Sequence, residues 1–224
     1  MSVFTFASVL TAQMKDPVVV EGSGKGIVDI KPFKDPVDSN KEWRRVEVVL
    51  RGVENPDKTA TKEEKRWVKD VALDLTLVYA KPNTGNKWDP KSWIVLKAKS
   101  ELVAIEVGKK ARLVFFLPPE IKDLYRLQDN QRLFYIINLE VLGNKVEINQ
   151  KNLKKFVSND LVKRIKNAKQ FEKIKTDLAA ASSVNDGWLI PLTQAPFHIQ
   201  YEEYLGKNKP SSGETIPTYK LKSK

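Results

Sequence analysis

The sequence contains no cysteine and a single histidine, His198. Without cysteine there can be no disulfide, no zinc–thiolate site, no Cys-ligated iron–sulfur cluster and no thiol nucleophile. One histidine excludes multi-His metal centres and weakens every Ser–His proposal. Long apolar runs are also missing. A membrane-spanning helix needs about 20 apolar residues, and the uncharged stretch Ser2–Met14 is closed by Lys15 and Asp16. A signal peptide would place a basic region before such a stretch; none precedes Val3 and Phe4. The stretch reads either as an ordinary edge strand or as the remnant of a trimmed leader. There is no Asn-X-Ser/Thr acceptor.

What the chain does have is length, apolar content and positive charge. Its 224 residues, 41% of them hydrophobic, are enough to bury a core. Val71, Leu73, Leu75, Leu77 and Tyr79 alternate with Asp70, Ala72, Asp74 and Thr76. Period two with one wet face marks a strand on an antiparallel sheet. Trp93 to Val107 alternates too, with a phase slip near Lys99–Ser100 that predicts a bulge. Arg45–Leu50, Ala111–Leu117 and Gln131–Leu142 read as further strands. Gly143-Asn144 is a two-residue hairpin signal, after which Val146 and Ile148 resume the alternation. Lys31–Asn40 and Lys81–Pro90 read as turn-rich joints. Pro118 stops a strand, and Pro119 can open a short helix through Leu127.

One long helix is expected at about 159–181, capped by Ser158 or Asn159. Val157, Leu161, Ile165, Ala168, Phe171, Ile174 and Leu178 would form its apolar stripe. Trp188–Ile190 and Phe197–Tyr204 look strand-like. The count is seven to nine strands and one or two helices, and no βαβ alternation occurs before residue 150. This predicts a mainly β protein, an antiparallel sandwich with one long helix in its C-terminal half. Residues 1–204 are expected to form a single domain that includes the helix, and 205–224 a flexible basic tail.

The net charge is +11. Lys151–Lys175 holds nine basic and two acidic residues, and the stretch from Leu205 holds five lysines and one glutamate, so these two segments carry the whole excess. Lys154, Lys155, Lys163, Arg164, Lys166, Lys169, Lys173 and Lys175 are therefore the candidate anion- or nucleic-acid-binding residues. A face of this kind attracts nucleic acid, acidic polysaccharide or an anionic membrane surface; a solvated helix face that keeps the chain soluble has the same composition. Lysine outnumbers arginine eight to one there, and stacking aromatics are few. Binding through it would be weak, blind to sequence and steeply salt-dependent.

Other motifs offer less. Gly22-Ser23-Gly24-Lys25-Gly26 departs from the spacing of a phosphate-binding loop and reads as a flexible loop. Asp70 and Asp74, on one strand face, would stand about 13 Å apart, beyond the roughly 5–9.5 Å of paired glycosidase acids. His198 reads as a packing or surface residue. Trp43, Trp67, Trp88, Trp93 and Trp188 fall mostly where strands begin, as core or strand-end anchors, with an exposed carbohydrate-binding row as the alternative. No constellation for catalysis, metal or cofactor binding emerges, and a non-enzymatic protein is expected.

Several strings resemble a family of proteins encoded beside type IV pilus genes in Verrucomicrobiota. They are Glu42-Trp43-Arg44-Arg45-Val46-Glu47-Val48, Lys97-Ala98-Lys99-Ser100-Glu101 with Val103, Phe115-Phe116-Leu117-Pro118-Pro119-Glu120, and Asn185-Asp186-Gly187-Trp188-Leu189-Ile190-Pro191-Leu192-Thr193-Gln194-Ala195-Pro196-Phe197. The resemblance covers most of Glu42–Tyr204. It implies an immunoglobulin-like sandwich, similar to some pilins, in a secreted or envelope-associated protein. The implied role is pilus assembly or surface contact, with other pilus or envelope proteins as partners. It transfers no site residues. Unlike a pilin, this chain shows no long hydrophobic N-terminal helix.

Overall fold

The computed structural model describes residues 16–22, 26–128, 132–182, 188–198, 201, 213–215 and 217–220. The expected edge strand at Ser2–Met14 lies outside them. Strands β1 (Val18–Glu21), β2 (Val28–Lys34) and β3 (Glu42–Gly52) open the fold. They are followed by β4 (Trp67–Ala80), β5 (Trp93–Glu106), β6 (Lys110–Leu117) and α1 (Pro119–Leu124). Then come β7 (Arg132–Val141), β8 (Asn144–Lys145), α2 (Leu153–Phe156), α3 (Asn159–Val162) and α4 (Ala168–Ser182). Short strands β9 (Ile190–Pro191), β10 (Glu214–Thr215) and β11 (Thr218–Tyr219) complete it.

The β-sandwich expectation holds. One sheet runs β2-β3-β6, with β1 extending the β2 edge and β9 and β10 lining the far side of β6; the other runs β11-β5-β4-β7-β8. Stripped of its additions this is β2-β3-β6 against β5-β4-β7-β8, the seven-strand Greek-key connectivity of an immunoglobulin-like sandwich whose fourth strand, β5, lies on the second sheet instead of the first. Alternation dictates it: Val46, Val48 and Leu50 of β3 and Leu73, Leu75 and Leu77 of β4 all point into the space between the sheets.

Unlike a bare sandwich, both outer faces are covered. On the second sheet, Val78, Val95, Phe134 and Ile136 pack under Leu161, Phe171 and Leu178 of the helical segment. On the first, Trp43, Val114 and Phe116 pack under Leu192, Phe197 and Tyr201. The strands are therefore buried on both sides at one end, which is why β4 ends in the unbroken apolar run Leu77-Val78-Tyr79-Ala80.

Several local expectations change. The single helix of 159–181 is two helices, because the chain leaves the helix at Lys163 and re-enters at Ala168. Ser158 does cap the first, accepting from Leu161 N–H at 3.4 Å. Asn167 and Gln170 supply local bonds at the second start, and Ala168 is exposed, outside the apolar stripe. The phase slip falls at Val103, not Lys99. Leu102 and Ile105 both point inward, as do their partners Val71 and Val68 on β4, where Asp70 adopts φ 51°. The hairpin turn is Leu142-Gly143, one residue early, since both carry positive φ and Val141 pairs with Asn144.

Phe197 and His198 lie in a turn and a helical residue, not in a strand, because Phe197 is drawn into the aromatic cluster on the first sheet. Lys31 and Pro32, read as a joint, belong to β2; an edge strand can accept proline because only one side of its backbone must pair. Within 205–224, expected to be a loose tail, β10 pairs in parallel with β6 and β11 antiparallel with β5. Those strands cover otherwise open sheet edges, a contact that local composition does not record.

Candidate functional site

The basic segment sits on the outer face of the second sheet. Its cations are less available than their number suggests. Lys163 is 3.2 Å from Asp160, Lys173 is 2.8 Å from Asp177 and Lys175 is 2.7 Å from Glu172. Helical spacing of three or four residues makes these pairs local. Arg164 lies over the Trp88 ring, 3.9 Å from its centroid, and Trp88 in turn stacks on Phe134. Lys175 also covers Phe171. Lys154, Lys155, Lys166 and Lys169 are exposed and have no acidic partner among the described residues. Four of the eight candidates thus have local partners, although Lys163, Arg164 and Lys173 among them are exposed too, and four have no acidic partner among the described residues.

Where the helices stop covering the sheet, a cleft of about 470 Å³ opens between α4 and the strands. Strand register builds its floor. Lys99, Asp74 and Asn138 stand side by side on β5, β4 and β7; the next row is Lys97, Thr76 and Ile136. Lys175 and Leu178 of α4 form the wall. Burial raises the Asp74 carboxyl above the usual aspartate value; nearby Lys99 opposes this, and Glu140 and Glu101 add to it. Alternation placed Asp74 and Thr76 on the polar face of their strand. Only strand pairing shows that Lys99 and Asn138 flank them.

On the first sheet the outer face carries a charge network. The Glu47 carboxylate, 2% exposed, meets Arg45 Nε and Arg112 at 3.1 Å and Lys31 at 3.5 Å. The Arg45 contact is one of charge, since its Nε–H is not aligned for a hydrogen bond. Arg112 reaches on to Glu214 of β10 at 2.9 Å, and Tyr219 of β11 donates its hydroxyl to Arg112 O at 3.2 Å. Lys220 pairs with Asp70 at 2.5 Å. Two ion pairs therefore fasten the C-terminal strands, one to each sheet.

The remaining motifs resolve simply. β1 and β2 pair with adjacent residues of β3, Glu21 with Val49 and Val28 with Val48, so the two form one interrupted edge strand; the central Ser23-Gly24-Lys25 of the glycine-rich motif lies outside the described residues. Positive φ at Asp70 takes it out of strict alternation with Asp74. His198 Nδ1 is 3.2 Å from Ala195 O and closes a turn. Trp43 and Trp93 are buried, Trp88 and Trp188 half-buried, and Trp67 is 40% exposed; they form no exposed row. No group of three His, Asp or Glu among the described residues is placed to hold a metal, and no helix there is long and apolar enough to cross a membrane.

No protein-family model and no curated protein matches the sequence. The fold is similar to that of a crystal structure from Akkermansia muciniphila, with a TM-score of 0.54 over 92% of this chain and 93% of that one. Sequence identity between the two is 11%, so the likeness speaks for a shared fold.

Proposed function

We propose that the protein is a non-enzymatic structural or interaction component of the bacterial cell envelope, associated with type IV pili. The observation that carries this reading is the extent of the fold likeness: nearly the whole of both chains takes part. The Akkermansia protein comes from the Verrucomicrobiota, the group to which the sequence resemblance points. The resembling strings also fall on structural positions: β3, β5, the β6–α1 junction and the β9 segment. On this reading the work is done by contact, through the faces and edges that a rigid sandwich presents. Deletion of the gene, with pili counted by electron microscopy and the protein located by cell fractionation, tests it. Altered piliation with the protein in an envelope fraction is expected. A cytoplasmic protein whose loss leaves piliation unchanged discards the reading.

A second reading, binding of nucleic acid or another polyanion, is favoured by the four solvent-facing lysines Lys154, Lys155, Lys166 and Lys169. Gel shifts at low and high salt, with these four changed to glutamate, test it. Retained binding in that variant removes the surface from consideration.

A further inference from the structure

The cleft beside α4 holds polar groups that the fold does not use. Asp74 and Asn138 are exposed neighbours on the adjacent strands β4 and β7. Neither side chain has a hydrogen-bond or ion-pair partner among the described residues. Strand spacing sets them about 5 Å apart. Thr76 lies next in line on β4, and Ile136 and Leu178 leave apolar surface beside it. Three ammonium groups surround this floor. Lys99 pairs with Glu101 at 2.7 Å and Lys175 with Glu172, both at the surface; Lys97, itself engaged with a neighbour, adds the third.

We propose that this cleft binds a short acidic saccharide, with Asp74 and Asn138 taking ring hydroxyls and the surrounding lysines taking the sugar carboxylate. A carboxylate accepts from two neighbouring hydroxyls, and an amide both donates and accepts. Sugar hydroxyls, each donor and acceptor at once, match that pair; apolar side chains match the C–H face of a ring. The volume lies within the range of about 300–1,000 Å³ usual for small-ligand sites. The central carboxylate selects against a phosphate polymer. Asp74, with Glu101 and Glu140 along the next row of the sheet, repels dense negative charge, whereas one carboxylate per sugar can settle on the lysines away from it. The site is separate from the four solvent-facing lysines and does not depend on an envelope role.

Titration of the ¹⁵N-labelled full chain with digalacturonate, followed by NMR, tests the proposal, with neutral digalactose as the comparison. Shift changes are expected at Asp74, Thr76, Lys97, Lys99 and Asn138, with a much weaker response to the neutral sugar. Asp74→Ala and Asn138→Ala, both at exposed positions, should each weaken binding about tenfold, as expected for one lost charge-assisted or paired hydrogen bond. The double variant Lys154→Glu/Lys155→Glu should bind like the parent. No response at millimolar digalacturonate would overturn the proposal, as would equal response to digalactose. So would a site lost in the Lys154/Lys155 variant but intact in Asp74→Ala, since that pattern marks diffuse charge attraction.

Discussion

The Arg164 guanidinium lies over Trp88, 3.9 Å from the ring centroid. It joins the connection between α3 and α4 to the loop before β5, because Trp88 rests on Phe134 of β7 at an interplanar angle of 7°. The residue that composition marks as an anion ligand is thus a clasp between the helical layer and the sheet.

Arg164→Ala is expected to destabilise the protein by about 1 kcal/mol through the lost cation–π contact and packing. Urea unfolding of Arg164→Ala, Trp88→Leu and the double variant would measure the coupling. A coupling energy near zero would show that the stack contributes nothing.

Asp35 gives a pH signature. Burial alone would push its carboxyl up, but the backbone N–H groups of Val37 and Asp38 and the Trp43 indole, at 2.8–3.1 Å, outweigh it. Lys41 adds to the effect, and the carboxyl is held below the usual value of 3.8. A lowered folded-state pKa means stability that is present above the unfolded-state value and lost as pH falls through the folded one. Asp35→Asn should therefore be less stable than the parent at pH 7 by about 1–2 kcal/mol. The gap should close as pH falls below about 4. A gap that stays constant across an acid titration of the melting temperature would refute this.

Gly52, at the end of β3, forms an isolated bridge with Val107, just past the end of β5 on the other sheet. Its backbone bonds to Lys109 and Gly108 at 3.2 and 2.9 Å, and a Cβ there would lie 2.8 Å from Glu106 O. That neighbour is backbone and cannot turn aside. Gly52→Ala should cost about 1–3 kcal/mol, whereas Gly85→Ala, with open space around it, should be near neutral. Equal melting temperatures for the two variants would contradict the close approach.

Ser100 Oγ is buried between the sheets, opposite Leu73, without a hydrogen-bond partner among the described residues. A stranded hydroxyl is costly, so Ser100→Ala should raise stability by about 1 kcal/mol or more. A loss of stability in thermal unfolding would show that the hydroxyl is satisfied.

Much of the architecture was legible because it rests on local pattern. Alternation in Val71–Tyr79 gave the central strand, Pro119 the start of α1 and Ser158 the cap of α3, each a matter of a few neighbouring residues. Elements defined by partners were harder. β2 was obscured by Pro32, and β10 and β11 by their two-residue length, since each exists only because a longer strand offers it an edge. The eight candidate cations illustrate the same limit: counting found the positive segment, but Asp177, two residues beyond its end, neutralises one of them.

By itself the amino-acid order determined that this is a cysteine-free, basic, mainly β chain with a helical stretch after its main strands, because backbone period and side-chain charge are local quantities. Tertiary structure alone decided which polar residues share a row, which cations are spent on neighbours and where a cleft remains. Those depend on strand register and on where a helix ends over a sheet. One residue of register turns a wet face into a buried one, so no count along the chain can supply them.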